Sequence, residues 1–70
     1  MSESVYKVIE VIGTSSDSWE KAAAAAVARA SKTLRDLRIA EVVQLDMQIN
    51  EGAVALYRAK LRLSFKYEED

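Results

Sequence analysis

Three basic residues at alternate positions, Arg58, Lys60 and Arg62, form the most distinct charged pattern of the sequence. Alternate residues of an extended strand point to the same face, so the three cations would form one row. Such a row can make ion pairs across strands or subunits, or it can attract the phosphate of a ligand. The acidic residues available for such pairs are Asp46, Glu10 and Glu41. Both interpretations stay open, and we favour the ion pairs.

Asp46 stands between Gln44 and Gln48, a spacing that places three oxygen-bearing side chains on one face of a strand. Calcium prefers such hard oxygen ligands, but it takes about six to eight of them. One copy of the chain cannot supply that number, so symmetry-related copies or water would have to complete a site. The alternative is an ordinary cross-strand ion pair of Asp46, which we favour at this point.

The residues needed for most catalytic sites are missing. The sequence contains no cysteine and no histidine, so the usual nucleophile–base pairs and a conventional zinc site cannot be built. The serines have no obvious base, and no two carboxylates are isolated for acid–base chemistry. We therefore predict that the protein is not an enzyme.

Two further features have a ligand interpretation and a simpler one. The segment Gly13-Thr14-Ser15-Ser16 precedes a predicted helix and could hold a phosphate, but Asp17 would repel an anion, so we predict ordinary capping. Trp19 is the only tryptophan. It could stack on a planar ligand, and we predict instead that it anchors the first helical turn.

The elements that position these residues follow from the spacing of apolar side chains. Residues 5–12 are predicted as a strand that ends at Gly13. A helix then begins at Asp17, which has capping-box spacing with Glu20, or else at Ser16 or Ser18, and runs to about Leu37. Its apolar stripe consists of Trp19, Ala23, Ala26, Val27, Ala30, Leu34 and Leu37.

Period-two alternation returns over residues 39–49 and 53–67, and Asn50-Glu51-Gly52 predicts a hairpin between them. The alternation assigns Ile39 and Glu41 to one face of the second strand, and Asp46 and Gln48 to the other. The last three residues, 68–70, are predicted to form a frayed tail.

Residues 1–70 are therefore predicted to form a single α+β domain of β-α-β-β order. If all strand pairs are antiparallel, the third strand must lie in the middle, which gives the order 1-3-2. One helix covers one face of this sheet and leaves the other face for solvent, a cavity or other subunits. A domain this small needs reinforcement, and without disulfides or zinc we expect oligomerisation.

The overall charge is balanced, with ten basic and eleven acidic residues. We therefore expect no nucleic-acid partner and no membrane partner. The first four residues lack the features of a signal peptide, and a cytoplasmic location is the expectation.

Several segments together resemble the dodecin family. They are residues 5–15, the helix ending Thr33-Leu34-Arg35-Asp36-Leu37, Glu41-Val42, the Gly52 hairpin and the ending over residues 64–69. The resemblance covers almost the whole chain. It implies a hollow shell of twelve identical subunits that stores or buffers small ligands without catalysis.

The flavin-associated positions of that family differ here. The resemblance places Ile39 and Ala40 where flavin-binding members have a stacking tryptophan and a following aromatic residue, and Arg58 where they have a glutamine. Asp46 falls where many bacterial members have a basic residue. Losing the aromatic platform removes a stacking contact worth about 1–3 kcal/mol in comparable nucleobase sites, so flavin binding is not expected.

Residues 38–42, together with Asp46-Met47, resemble instead the calcium dodecin branch of the family. This resemblance implies calcium binding in the assembled shell, with Asp46 as the first candidate ligand and Glu41 and Gln48 as the next. One alternative is a flavin or phosphate-bearing cofactor held near Ile39 by the basic row Arg58, Lys60 and Arg62. Another is a purely structural oligomer without a ligand.

Overall fold

The computed structural model describes residues 3–67. It contains β1 (Tyr6–Ser15), α1 (Trp19–Ser31), β2 (Leu37–Asn50) and β3 (Ala53–Lys66). The three strands form one antiparallel sheet in the order β1-β3-β2, and α1 packs on one face of it. The predicted α+β fold, its β-α-β-β element order and the central position of the third strand are confirmed.

The first strand does not end at Gly13 as predicted, because it continues to Ser15. Gly13 is buried and pairs with Ala59, directly beneath the helix. A Cβ atom at Gly13 would overlap the carbonyl oxygen of Ala22 and lie 2.9 Å from the Cβ of Ala26. The glycine therefore allows helix and sheet to approach closely, which is a different role from ending a strand.

The helix begins at one of the predicted alternatives and ends earlier than predicted. Ser18 is the N-cap, and its side chain accepts a hydrogen bond from the backbone N–H of Lys21 at 3.1 Å. Asp17 is not the cap and instead forms an ion pair with the Lys21 side chain. The helix stops at Ser31, and Leu37 is the first residue of β2. Leu37 pairs with Phe65 of β3, so sheet formation overrides the helical spacing of the leucines.

The core is small and consists mainly of short side chains. Among the described residues, the buried apolar side chains of the core are those of Ala22, Ala26, Ala59, Leu61 and Leu63. Half-buried apolar residues pack around them, namely Ile9, Val11, Ala23, Val27, Ala30 and Leu37. The predicted stripe thus omitted Ala22, although this residue has no exposed surface at all.

A β-bulge changes the two predicted faces of the second strand. Val42 pairs with Leu61 and Gln44 pairs with Lys60, so Val43 is the extra residue in β2. Glu41 pairs with Arg62 and Asp46 pairs with Arg58, which places both acids on the face opposite α1. The prediction that Ile39 and Glu41 lie on the other face from Asp46 and Gln48 is wrong, because uninterrupted alternation does not hold across a bulge.

The hairpin between β2 and β3 is confirmed as a two-residue turn. Glu51 and Gly52 both have positive φ angles, 52° and 79°, as a type I′ turn requires. The predicted frayed tail, residues 68–70, lies outside the described residues. Within residues 3–67, no helix is long and apolar enough to cross a membrane.

We expect substitution Gly13→Ala to be strongly destabilising, because the added methyl group meets helix backbone that cannot move away alone. Overpacking of this kind costs about 1–3 kcal/mol or more. Thermal unfolding of both variants followed by circular dichroism would measure the effect, with Gly52→Ala as the control. Nothing lies within 4 Å of a Cβ at Gly52, so that variant is strained only by its positive φ. A Gly13→Ala melting temperature equal to that of the native chain would contradict the close approach.

Candidate ligand site on the outer sheet face

The sheet face opposite α1, here called the outer face, carries the candidate ligand residues. The central strand β3 contributes the basic row Arg58, Lys60 and Arg62. On either side, β1 and β2 contribute acidic, amide and apolar side chains, namely Glu10, Ile12, Ile39, Glu41, Gln44, Asp46 and Gln48. Within one subunit, the basic row of β3 is therefore flanked by acidic side chains of β1 and β2.

Arg58 and Asp46 form the shortest ion pair among the described residues. The Nε atom of Arg58 donates to Oδ1 of Asp46 at 2.7 Å, and its Nη2 atom donates to Oδ2 at 2.8 Å. Such a bidentate contact pairs the two charges and also fixes the relative orientation of the two side chains. Hydrogen bonding to Arg58 lowers the pKa of Asp46, and the same hydrogen bond raises the pKa of Arg58.

Glu10 joins the other two basic residues. Arg62 Nη2 lies 3.0 Å from one carboxylate oxygen of Glu10, and Lys60 Nζ lies 3.6 Å from the other. Arg62 also reaches Glu41 across the opposite strand pair, at 3.6 Å. The hydrogen bond from Arg62, followed by the charge of Lys60, lowers the pKa of Glu10.

The three bases of the row are thus matched by three acids within the same subunit. This confirms the ion-pair interpretation of the basic row and of Asp46. It also means that no cation of the row is left unpaired on the described part of this face. A ligand phosphate at Arg58, Lys60 or Arg62 would therefore meet a carboxylate that already lies beside each cation.

A small cleft lies beside the Arg58–Asp46 pair. It has a volume of about 100 Å³ and is lined by Ile12, Gln44, Asp46, Arg58 and Lys60. Sites for drug-sized ligands typically have volumes of about 300–1,000 Å³. Within one subunit the cleft therefore suits an ion or a few water molecules, and it is too small for a planar three-ring cofactor.

Ile39 lies at the start of β2 opposite Ser64, and 58% of its surface is exposed. A branched aliphatic side chain has no π face on which an aromatic ring can stack. Of the cofactor candidates, Ile39 and the basic row share one face, but the row is occupied by its own ion pairs.

The three metal candidates share the outer face but do not converge in one subunit. Asp46 and Gln48 are two residues apart, or roughly 7 Å along a strand, whereas Glu41 is five residues from Asp46, or roughly 16 Å. One ion therefore cannot contact both carboxylates in a single copy. Across residues 3–67, no group of three or more acidic side chains is placed to hold a metal.

The donor chemistry of this face fits calcium, while the donor number in one subunit does not. Asp46, Gln44 and Gln48 supply the carboxylate and amide oxygens that calcium prefers. Both carboxylate oxygens of Asp46 are, however, engaged by Arg58. A complete calcium site would need additional oxygens from other copies or water, and the ion would compete with Arg58 for the Asp46 oxygens.

Trp19 is linked to this site from the opposite side of the sheet. Its Nε1 atom donates a hydrogen bond to the backbone carbonyl of Asp46 at 2.9 Å. Its ring meets Tyr57 edge-on, with centroids 5.1 Å apart. The predicted anchoring role of Trp19 is confirmed. Its contact with Asp46 was not predicted, because the two residues are far apart in sequence and no spacing rule connects them.

The segment before the helix serves as a cap. Ser15 Oγ accepts hydrogen bonds from the backbone N–H groups of Asp17 and Ser18, at 2.9 and 3.4 Å. Ser18 in turn caps α1. The capping predicted for Gly13-Thr14-Ser15-Ser16 is confirmed for Ser15, whereas Gly13 and Thr14 belong to β1.

Comparisons with known proteins agree with the resemblance found in the sequence. The family model described as Dodecin matches residues 5–68. Calcium dodecin from Mycobacterium tuberculosis is 52% identical over 63 residues, which cover 90% of this chain and 89% of that protein.

Solved structures give the same result. Dodecin from Streptomyces coelicolor has a TM-score of 0.93 and 47% identity, and the match covers 100% of both chains. The crystal structure of calcium dodecin from M. tuberculosis, described as calcium chelating with a novel calcium-binding site, has a TM-score of 0.84 and 49% identity. That match covers 96% of each chain.

The ion pairs of the outer face make acid lability an expected property. The pKa values of Asp46 and Glu10 are lowered in the folded state. Their ion pairs therefore stabilise the fold fully at pH values above the ordinary carboxyl pKa of about 4. This stabilisation is lost as the pH falls through the lowered pKa values of the folded state. We expect the melting temperature to fall as pH is lowered from 5 to about 2.5.

The matched variants Asp46→Asn and Glu10→Gln should each show a smaller fall than the native chain over the same range. The effect of each should be modest because both pairs are partly exposed to solvent. If both variants lose stability in acid as steeply as the native protein, these pairs are not the source of the acid lability.

Proposed function

Because this chain belongs to the dodecin family, we propose that it forms a homododecameric shell that binds and stores calcium and catalyses no reaction. The observation that carries the calcium assignment is the composition of the outer face. It presents Asp46 between two amide side chains and has an aliphatic residue, Ile39, where a stacking platform would be needed.

The need for assembly is supported by the apolar surface that one subunit leaves uncovered. The helix packs mainly on β1 and β3, so Val42, Leu45 and Met47 of β2 remain 52%, 48% and 43% exposed. The outer face adds Val8 and Ile12, each about half exposed. Grouped apolar side chains on a small protein mark an interaction surface, and copies of the same chain are the partners typical of soluble oligomers.

Calcium binding is supported by the donor chemistry and by the relative named calcium dodecin. Asp46, Gln44 and Gln48 offer too few oxygens in one subunit, so neighbouring copies or water supply the remaining ligands. When bound, the ion would link acidic groups that otherwise pair with arginine. Glu41 lies too far from Asp46 to join the same ion within one subunit, so it contributes only from another copy.

The structure gives less support to a flavin or another phosphate-bearing cofactor. The cleft beside Asp46 is small, Ile39 offers no aromatic surface, and the basic row is neutralised by Glu10, Glu41 and Asp46. A ligand-free structural oligomer is the second candidate, because this internal charge balance is what such a shell would also require. Calcium titration separates it from the first.

We expect isothermal titration of the native protein with CaCl₂ to show saturable heat and a rise in melting temperature. Asp46→Asn should abolish or greatly weaken the heat, because it removes the charged oxygen from the donor set. Glu20→Gln is the matched control, since Glu20 is an exposed acid in the first turn of α1, away from the outer face. It should retain the native calcium affinity.

The calcium proposal fails if the native protein shows neither heat nor a shift in melting temperature up to millimolar CaCl₂. It also fails in its choice of site if Asp46→Asn and Glu20→Gln bind calcium equally well. In the first case, the ligand-free structural oligomer becomes the better description.

A further inference from the structure

The Arg58–Asp46 pair occupies the carboxylate that a calcium ion would have to bind. Each Asp46 oxygen accepts one hydrogen bond from the same guanidinium, at 2.7 and 2.8 Å. An approaching cation would therefore meet a positive charge already seated on its ligand. Protein carboxylates that bind calcium use these same oxygens, in monodentate or bidentate form.

We infer that Arg58 is a tethered competitor for the Asp46 carboxylate, so that a calcium ion binds there only as the guanidinium leaves. This inference rests on the proposed function, since it concerns how affinity is set at the same site. Arg58 does not contact the ion. It acts through Asp46 and raises the concentration of calcium at which the site fills.

The geometry makes this displacement feasible. The Arg58 side chain is 41% exposed, and that of Asp46 is 35% exposed. A released guanidinium can therefore be solvated at once, so no buried charge is left without a partner. A partly exposed ion pair of this kind is weak enough for a divalent cation with several oxygen ligands to replace it.

The same geometry distinguishes competition from a general effect of positive charge. The guanidinium engages Asp46 through two donors held in one plane, whereas a lysine ammonium is a flexible point charge that cannot form this paired contact. Arg58→Lys therefore keeps the charge and weakens the competitor. A general electrostatic effect would leave the calcium affinity of this variant unchanged.

The fluorescence of Trp19 reports on the site independently of the heat measured by calorimetry. It is the only tryptophan, and its Nε1–H is bonded to the backbone carbonyl of Asp46 at 2.9 Å. A change in the Asp46 contacts should therefore alter Trp19 fluorescence. Calcium bound elsewhere would give heat without a fluorescence change at the same concentration.

The test is titration of the assembled protein with CaCl₂, at constant ionic strength, followed by calorimetry and by Trp19 fluorescence. The variants are Arg58→Gln, Arg58→Lys and, as a control, Lys66→Gln. Lys66 lies at the end of the same strand, is exposed and pairs in register with Tyr6. Its replacement removes one positive charge at a distance from Asp46.

We expect Arg58→Gln to lower the calcium Kd about fivefold, which corresponds to loss of one well-formed exposed ion pair. Arg58→Lys should shift the Kd in the same direction by a smaller factor, and Lys66→Gln should keep the native value. The fluorescence midpoints should follow the calorimetric ones in every variant.

Equal Kd values for the native chain, Arg58→Lys and Arg58→Gln would overturn the inference and leave calcium binding itself intact. Lowered Kd in Arg58→Gln alone, with Arg58→Lys at the native value, would also overturn it in favour of a general charge effect. Binding by both Arg58 variants but not by the native chain would support the competitor and contradict calcium binding by the native protein. No binding by any variant would contradict both.

Discussion

A single 13-residue helix has to cover a sheet of three long strands, and it is too small to do so. It packs closely on β1 and β3 because small residues, Gly13, Ala22, Ala26 and Ala59, line the contact. Close packing of small side chains buries little apolar area per residue. This core therefore contributes less to the free energy of folding than a core built from large side chains. Most of β2 and the whole outer face remain uncovered, so the apolar surface of one subunit needs other copies to cover it.

The outer face combines uncovered apolar residues with a row of charges, and the two have different consequences. Apolar groups such as Val8 and Ile12 gain from contact with other copies, whereas charges lose hydration when they are brought together. Pairing Arg58, Lys60 and Arg62 with acids in the same subunit reduces that loss, because each charge keeps a partner in the assembly. The same pairing limits which ligands can bind. An anion meets neutralised cations, while a divalent cation has to compete for a carboxylate.

Much of the fold could be predicted from the sequence, because alternation, the alanine-rich helix and the Glu51-Gly52 turn are local signals. The errors arose where tertiary pairing overrides such signals. Gly13 resembles a strand end in the sequence, but in the structure it allows the helix to approach the sheet. The leucine spacing predicts that the helix extends to Leu37, which instead pairs with Phe65 of β3. The bulge at Val43 leaves no clear mark in the sequence.

The bulge also explains why the candidate site could be predicted only in part. The choice of Asp46, Glu41 and Gln48 as candidate ligands remains a prediction, but the structure changes their arrangement. Glu41 lies on the same face as Asp46, although the two are five positions apart along β2. The ion pairs of the basic row followed from residue types and spacing. The contact of Trp19 with the Asp46 carbonyl did not, because it depends on where the helix lands on the sheet.

Native mass spectrometry of the protein as purified, before and after removal of divalent ions with a chelator, tests the central claim most directly. The account predicts the mass of a homododecamer, with calcium adducts that the chelator removes and added CaCl₂ restores. A monomer or dimer as the only species would contradict it, because the uncovered apolar surface would then have no partner and the calcium site no additional ligands.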